Sequence, residues 1–234
     1  MPGKLFLIPV PVYFDYTDKT AVFFIDPIIH RLKTFIVEDV KTARRILIRA
    51  GYSLDIHETR FLVYNEHSKS HEVKALIDNC LEGEDIGLMS ESGMPCIADP
   101  GSLVVKMAHS LGIRVIPLSG DSSVNLALMG SGFNGQRFCF HGYLPIEKQT
   151  RIKTLKELEQ HIFQSDQTQI FIETPYRNQQ LFDIIIQVLS GSTWLCIASS
   201  LKSPEESIES KSIAEWRKSK HEMKKNPAVF LLYK

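Results

Sequence analysis

The stretch Ile86–Gly101, IGLMSESGMPCIADPG, decides the reading of this chain. Ile86–Met89 is a short apolar run and reads as a buried strand. Ser90–Gly101 follows, rich in glycine and proline, and the apolar spacing of Leu103–Leu111 then predicts a helix that stops at Gly112. Strand, loop and helix in that order are the start of a βαβ unit. Connections of this kind usually run about 2–6 residues, so a loop of this length points to a ligand rather than to a plain turn. It also lies at the carboxyl end of its strand, where open α/β sheets bind ligands. Gly93 and Gly101 permit close backbone approach, and Pro95 and Pro100 stiffen the loop.

The same rhythm extends outward. Upstream, Lys4–Val10 and Thr34–Val37 read as strands. Val40–Ala50 and Ser70–Leu81 read as helices, stopped at Gly51 and Gly83. Downstream, Arg114–Pro117 is a strand. This βαβα alternation predicts a parallel sheet covered by helices. The pattern restarts after Gly130–Gly135, with strands at Arg137–His141, Gln169–Ile172, Trp194–Ala198 and Ala228–Tyr233. Helices are expected at Lys153–His161, Gln179–Leu189 and Ser212–Lys218. The expected fold class is therefore α/β, in two α/β domains, 1–118 and 119–234. Gly130–Gly135, GSGFNG, matches GxGxxG literally. A helix precedes it and a strand follows, the reverse of a nucleotide loop, so it reads as a helix end and domain linker.

Composition excludes several classes. Among 234 residues, Lys plus Arg and Asp plus Glu both count 27, which argues against a broadly basic nucleic-acid coat. Cys80, Cys96, Cys139 and Cys196 form no CxxC pair, so neither a zinc site nor a disulfide framework is expected. No apolar stretch approaches the ~18 residues of a membrane span. The expectation is a cytoplasmic protein with no membrane partner. Sequence signatures of P-loops, zincins, nucleophile elbows and kinases are missing, and covalent Ser or Cys catalysis has no support.

Several shorter segments are candidates. Pro117–Ser123, PLSGDSS, again lies between a strand and a helix, where Ser122 or Ser123 caps the helix running to Met129. The loops after Ile86–Met89 and Arg114–Pro117 are expected at neighbouring strand ends, shaping one crevice. Glu38 and Asp39 open a helix on which Lys41, Arg45 and Arg49 share a face, read as a solvated one. Asn65-Glu66-His67 follows the strand-like Phe61–Tyr64. Glu173 ends its strand, and Thr174-Pro175 suits a helix start.

Taken in order, VEDVKTARRIL (Val37–Leu47), YNEH (Tyr64–His67), LMSESGMPCIADPG (Leu88–Gly101), PLSGDSS (Pro117–Ser123), RFCFHGYLP (Arg137–Pro145) and FIETPYR (Phe171–Arg177) resemble the tetrapyrrole-methylase superfamily of methyltransferases. Within it, they are most similar to bacterial enzymes that methylate a ribose 2′-hydroxyl of small-subunit ribosomal RNA. The resemblance implies a homodimer with S-adenosylmethionine in a cleft between two domains. It places Pro9, Ser90, Glu91, Ser92, Gly93, Ile97, Ala98, Ser122 and Ser123 around the cofactor from the first domain. Glu173, Ala198, Pro227 and Ala228 would come from the second. Glu91 stands where the family generally has Asp, and Pro9–Asp18, PVPVYFDYTD, lacks the family's glycine. The end, NPAVFLLY, looks more like the porphyrin branch.

The implied chemistry is one in-line displacement without a metal. A ribose hydroxyl is a poor nucleophile and gains from a base, for which Glu38, Asp39 and His67 are the candidates. The acceptor ranks as RNA (the small ribosomal subunit) first and a tetrapyrrole or other small molecule second. A catalytically inactive module that binds S-adenosylmethionine is the competing class.

Overall fold

The computed structural model describes residues 2–15, 25–65 and 67–234. The chain divides into two compact units, Met1–Ser122 and Ser123–Lys234.

The first unit holds β1 (Lys4–Ile8), β2 (Thr34–Val37), α1 (Val40–Arg49), β3 (Arg60–Val63), α2 (Val73–Leu81), β4 (Ile86–Met89), α3 (Ser102–Ser110) and β5 (Arg114–Pro117). Its five strands are all parallel, in the order β3-β2-β4-β1-β5. β2 and β4 are buried at every residue, which is why each reads as a continuous apolar run rather than an alternating one. One face of the sheet packs Ile8 and Phe35 against Ile46 and Leu47 of α1. The other packs Leu5 and Ile36 against Ile77 of α2 and Val104 of α3. Asp39 caps α1, its carboxylate accepting from Thr42 N at 2.7 Å. The helix expected over Ser70–Leu81 begins with a 3-10 turn, Ser70–Glu72, and is α-helical only from Val73.

Strand order fixes where a ligand fits. From β1 the chain crosses β4 to reach β2, whereas from β4 it crosses β1 to reach β5. Adjacent strands β1 and β4 therefore send their connections in opposite directions. Their carboxyl ends are the topological switch point of the sheet.

The second unit holds α4 (Ser123–Ser131), β6 (Phe138–Tyr143), α5 (Lys148–Ser165), β7 (Thr168–Glu173), α6 (Asn178–Val188), β8 (Trp194–Ser199), β9 (Ser207–Ser212), α7 (Ile213–Lys218) and β10 (Ala228–Tyr233). The sheet order is β6-β7-β10-β8-β9, and only β6 and β7 run parallel. The restart of the βα rhythm thus leads to a mixed sheet. β9, SIESKS, escapes the sequence reading because it is a half-exposed edge strand with no apolar alternation. Phe171 and Phe230 stack at 5.8 Å in a core shared with Leu155, Phe182 and Trp216. The segment Gly130–Gly135 is not a linker. It lies inside this unit, and Gly130 sits within α4, where an added Cβ would fall 2.6 Å from Ile208 Cδ1.

Among the described residues, no helix is long and apolar enough to cross a membrane.

Candidate functional site

In the first unit, parallel pairing aligns the strand ends. Ile8 pairs with Met89, so Pro9 and Ser90 leave the sheet side by side, and Glu38 follows β2 at the same edge. The loops after β1 and β4 are then stitched together. Val10 N donates to Gly93 O at 2.9 Å and Gly93 N returns to Val10 O at 2.8 Å. Ser90 is buried and its hydroxyl donates to Gly93 O at 2.8 Å, while Ser92 Oγ donates to Val12 O at 3.3 Å. Gly93 has φ +75°, which a side chain would strain. Tyr16–Asp18 of the first loop lie outside the described residues, as does Glu66.

The loops after β4 and β5 are not on neighbouring strands, because β1 separates them. They meet over β1 nevertheless. A Cβ at Gly93 would lie 3.7 Å from Asp121 O, and one at Gly120 would lie 2.2 Å from Pro9 Cβ. The absent side chain of Gly120 lets the β5 loop rest directly on Pro9. Ser122 is buried at the end of this unit, and Ser123 is the first residue of α4.

The remainder of the β4 loop turns on Asp99. Its Oδ1 accepts from Cys96 N at 3.1 Å and from Gly101 N at 2.7 Å. Cys96 and Ala98 take left-handed backbone, φ 69° and 59°, a conformation that tends to cluster at functional sites. Ile97 and Ala98 point to solvent, as does Glu91. Burial, then the Asp99 charge, pushes the Cys96 thiol up to about 11, so it stays protonated and unreactive.

Three carboxyl groups converge here. Glu38 is pushed up to about 7, first by burial, then by the charge of Asp99 and a hydrogen bond with it, then by the charge of Glu91. A backbone hydrogen bond from Glu91 pulls partly the other way. Glu38 therefore changes charge near neutrality. The other two candidate bases are placed differently. Asp39 is exposed and capping α1, and its carboxyl lies below the usual range because Thr42 donates to it. His67 is exposed in the turn after Asn65, its backbone N donating to Asn65 Oδ1 at 3.0 Å. Asp99 was missed by the sequence reading. Only its place inside the long strand-end loop marked it.

In the second unit, Glu173, Ala198, Pro227 and Ala228 come together at one end of the sheet. Ala228 pairs with Glu173 on one side and Ser199 on the other, and Ala198 pairs with Val229. Pro227 O accepts from Ser200 N at 3.1 Å. The Glu173 carboxylate is closed off by arginines. Its Oε1 accepts from Arg177 Nε and Nη2 at 2.9 and 2.7 Å, and Arg151, 1% exposed, approaches Oε2 at 3.5 Å.

No family model matches the chain. Among solved structures it superposes on the methyltransferase CobJ with TM-score 0.63 at 14% identity, covering 99% of this chain and 94% of that one. It superposes on uroporphyrin-III-C-methyltransferase from Thermus thermophilus with TM-score 0.54 at 13% identity, covering 100% and 93%. The fold is the two-domain α/β fold of the tetrapyrrole methylases.

In sequence, the chain is 27% identical to ribosomal RNA small subunit methyltransferase I of Escherichia coli O157:H7, over 98% of this chain and 77% of the relative. It is 30% identical to the protein of that name in Buchnera aphidicola subsp. Schizaphis graminum, over 79% of this chain and 67% of the relative. The chain belongs to this family of methyltransferases.

Proposed function

We propose that the protein transfers a methyl group from S-adenosylmethionine to a ribose 2′-hydroxyl of small-subunit ribosomal RNA. The observation that carries the acceptor class is the placement of the Glu38 carboxyl at the end of β2, half-buried against Asp99 and Glu91 of the β4 loop, where burial and those charges push it up to about 7. A base tuned near working pH suits a hydroxyl acceptor. The relatives named for ribosomal RNA support the choice of polymer.

The loop chemistry fits the cofactor. Ser90–Gly101 contains no lysine or arginine and carries Glu91 and Asp99, with Glu38 beside them. That is a negative surrounding for a sulfonium cation. When bound, S-adenosylmethionine supplies an electrophilic methyl group. In this reading Pro9, Ser90, Glu91, Ser92, Gly93, Ile97, Ala98, Ser122 and Ser123 bind it from the first unit. Glu173, Ala198, Pro227 and Ala228 bind it from the second, Glu173 through its backbone. Glu38 takes the proton from the acceptor hydroxyl. Burial first, and then the charge of Asp99, whose carboxylate is fixed by two backbone N–H groups, raises the proton affinity of Glu38. The protein's main contribution is to orient acceptor and donor in line.

The test is methyl transfer from labelled cofactor to small ribosomal subunits that lack the modification, run beside a porphyrinoid panel. Label in a ribose of the ribosomal RNA supports the proposal. Label in a porphyrinoid alone, or no calorimetric binding of S-adenosylhomocysteine, overturns it. The same reading includes a cytoplasmic homodimer, which light scattering on the purified protein checks.

A further inference from the structure

The chain is neutral overall, yet Arg217–Lys225, RKSKHEMKK, carries five lysines and arginines against one glutamate. This segment runs from the end of α7 toward β10 in the second unit, and its backbone is clamped. Arg217 donates to Ile186 O and Leu189 O, both at 2.7 Å. The His221 ring lies edge-on to Trp216 at 4.8 Å and to Phe182 at 5.3 Å. Met223 packs on the core, and its N donates to Gln179 Oε1 at 2.7 Å. Asn226 O accepts from Asn178 Nδ2 at 2.8 Å. With His221 and Met223 turned in, Lys218, Lys220, Lys224 and Lys225 are exposed.

The clamp ties this basic strip to the first turn of α6, immediately after Tyr176 and Arg177. Tyr176 is 84% exposed, the most exposed of the large hydrophobic side chains among the described residues. The turn that carries it is held. Arg177 N closes the turn onto Thr174 O at 2.9 Å, and the Arg177 side chain is locked to buried Glu173. An exposed aromatic on a rigid turn, beside a cationic strip, is the combination that holds single-stranded nucleic acid: cations on phosphates and a ring under a base. A solvated basic loop needs neither the clamp nor the tyrosine. The strip also ends at Pro227, one of the residues assigned above to cofactor binding, so bound RNA would lie beside that site.

We propose that Lys218–Lys225 and Tyr176 form one docking strip for the RNA acceptor. Lys220 and Lys225 contact backbone phosphates, and Tyr176 stacks on an unpaired base. This inference rests on the RNA reading of the function.

The experiment measures binding to unmethylated small ribosomal subunits across a salt series. The proteins compared are the wild type, the double variant Lys220→Ala/Lys225→Ala, Tyr176→Ala and Tyr176→Phe. For the double variant the slope of log affinity against log salt should flatten by about 1–2, since each single-strand phosphate contact contributes about 0.7. Tyr176→Ala should bind about tenfold more weakly with an unchanged slope, and Tyr176→Phe should restore binding. S-adenosylhomocysteine binding by calorimetry should not change in any of them. Variants that match the wild type in affinity and slope, while the wild type methylates the subunit, overturn the strip and leave the activity standing. A wild type that neither binds nor methylates the subunit overturns both, and the wild-type lane alone reveals it.

Discussion

The carboxyl group of Glu38, at the carboxyl end of β2, lies against that of Asp99 in the β4 loop. Asp99 is committed to two backbone N–H groups, from Cys96 and Gly101. Burial, then the charge of Asp99, raises the proton affinity of Glu38 to about 7, so a base is held ready beside a carboxylate fixed by the backbone.

Glu38 should be required in its charged form. The kcat/KM for methyl transfer is expected to rise with pH through about 7, as Glu38 loses its proton. Glu38→Gln should lower kcat by about 10²–10⁴-fold and remove that limb of the profile, with S-adenosylhomocysteine binding retained. Asp99→Asn keeps an acceptor oxygen but removes a charge, so the limb should move to lower pH.

The same shift has a stability consequence. Glu38 holds its proton more tightly folded than unfolded, so stability falls as pH rises from the ordinary carboxyl value of 4.5 toward 7. Glu38→Gln should therefore raise the melting temperature at pH 8 and leave it unchanged at pH 4. Solvent screening of a half-exposed group limits the gain to about 1 kcal/mol. Thermal scans at the two pH values check the sign.

Asp39 should behave as a cap and not as a base. Asp39→Ala is expected to lower stability measurably in denaturant unfolding through loss of the cap, with kcat nearly unchanged. A loss of kcat matching that of Glu38→Gln would reverse the assignment of the two neighbours.

The switch-point loops should tolerate two glycine changes differently. Gly120→Ala sets a Cβ 2.2 Å from Pro9 Cβ and must push the β5 loop off β1. Gly93→Ala finds its nearest neighbour at 3.7 Å and pays only for its φ of +75°, about 1 kcal/mol. Calorimetry should show cofactor affinity falling at least tenfold for Gly120→Ala and much less for Gly93→Ala.

Glu173 is expected to matter for folding. Glu173→Ala removes the partner of Arg151, 1% exposed, and of Arg177, leaving buried charge uncompensated. The loss should be about 3–5 kcal/mol in denaturant unfolding. A variant as stable as the wild type would show that the cluster carries no net weight.

Much of this was legible in the residues. The apolar runs Thr34–Val37 and Ile86–Met89 are strands because both faces of the first sheet are covered, and burial on both sides writes an unbroken signal. The length and composition of Ser90–Gly101 marked it as the candidate ligand loop. The second sheet was less legible. β9 is polar and at an edge, and the apolar runs of β8 and β10 read the same in either direction, so their antiparallel pairing left no trace.

By itself, then, the sequence determined most of the elements, the class of fold and the long strand-end loop as the candidate site, because side-chain periodicity and turn chemistry act over a few residues. Only the tertiary structure decided that β1 and β4 lie side by side with diverging connections, that Val10 bonds to Gly93, and that Glu38 meets Asp99. Those contacts follow from strand order, and strand order comes from packing helices onto both faces of one sheet. The shift of Glu38 follows in turn, since a carboxyl group's proton affinity is set by the burial and charges around it.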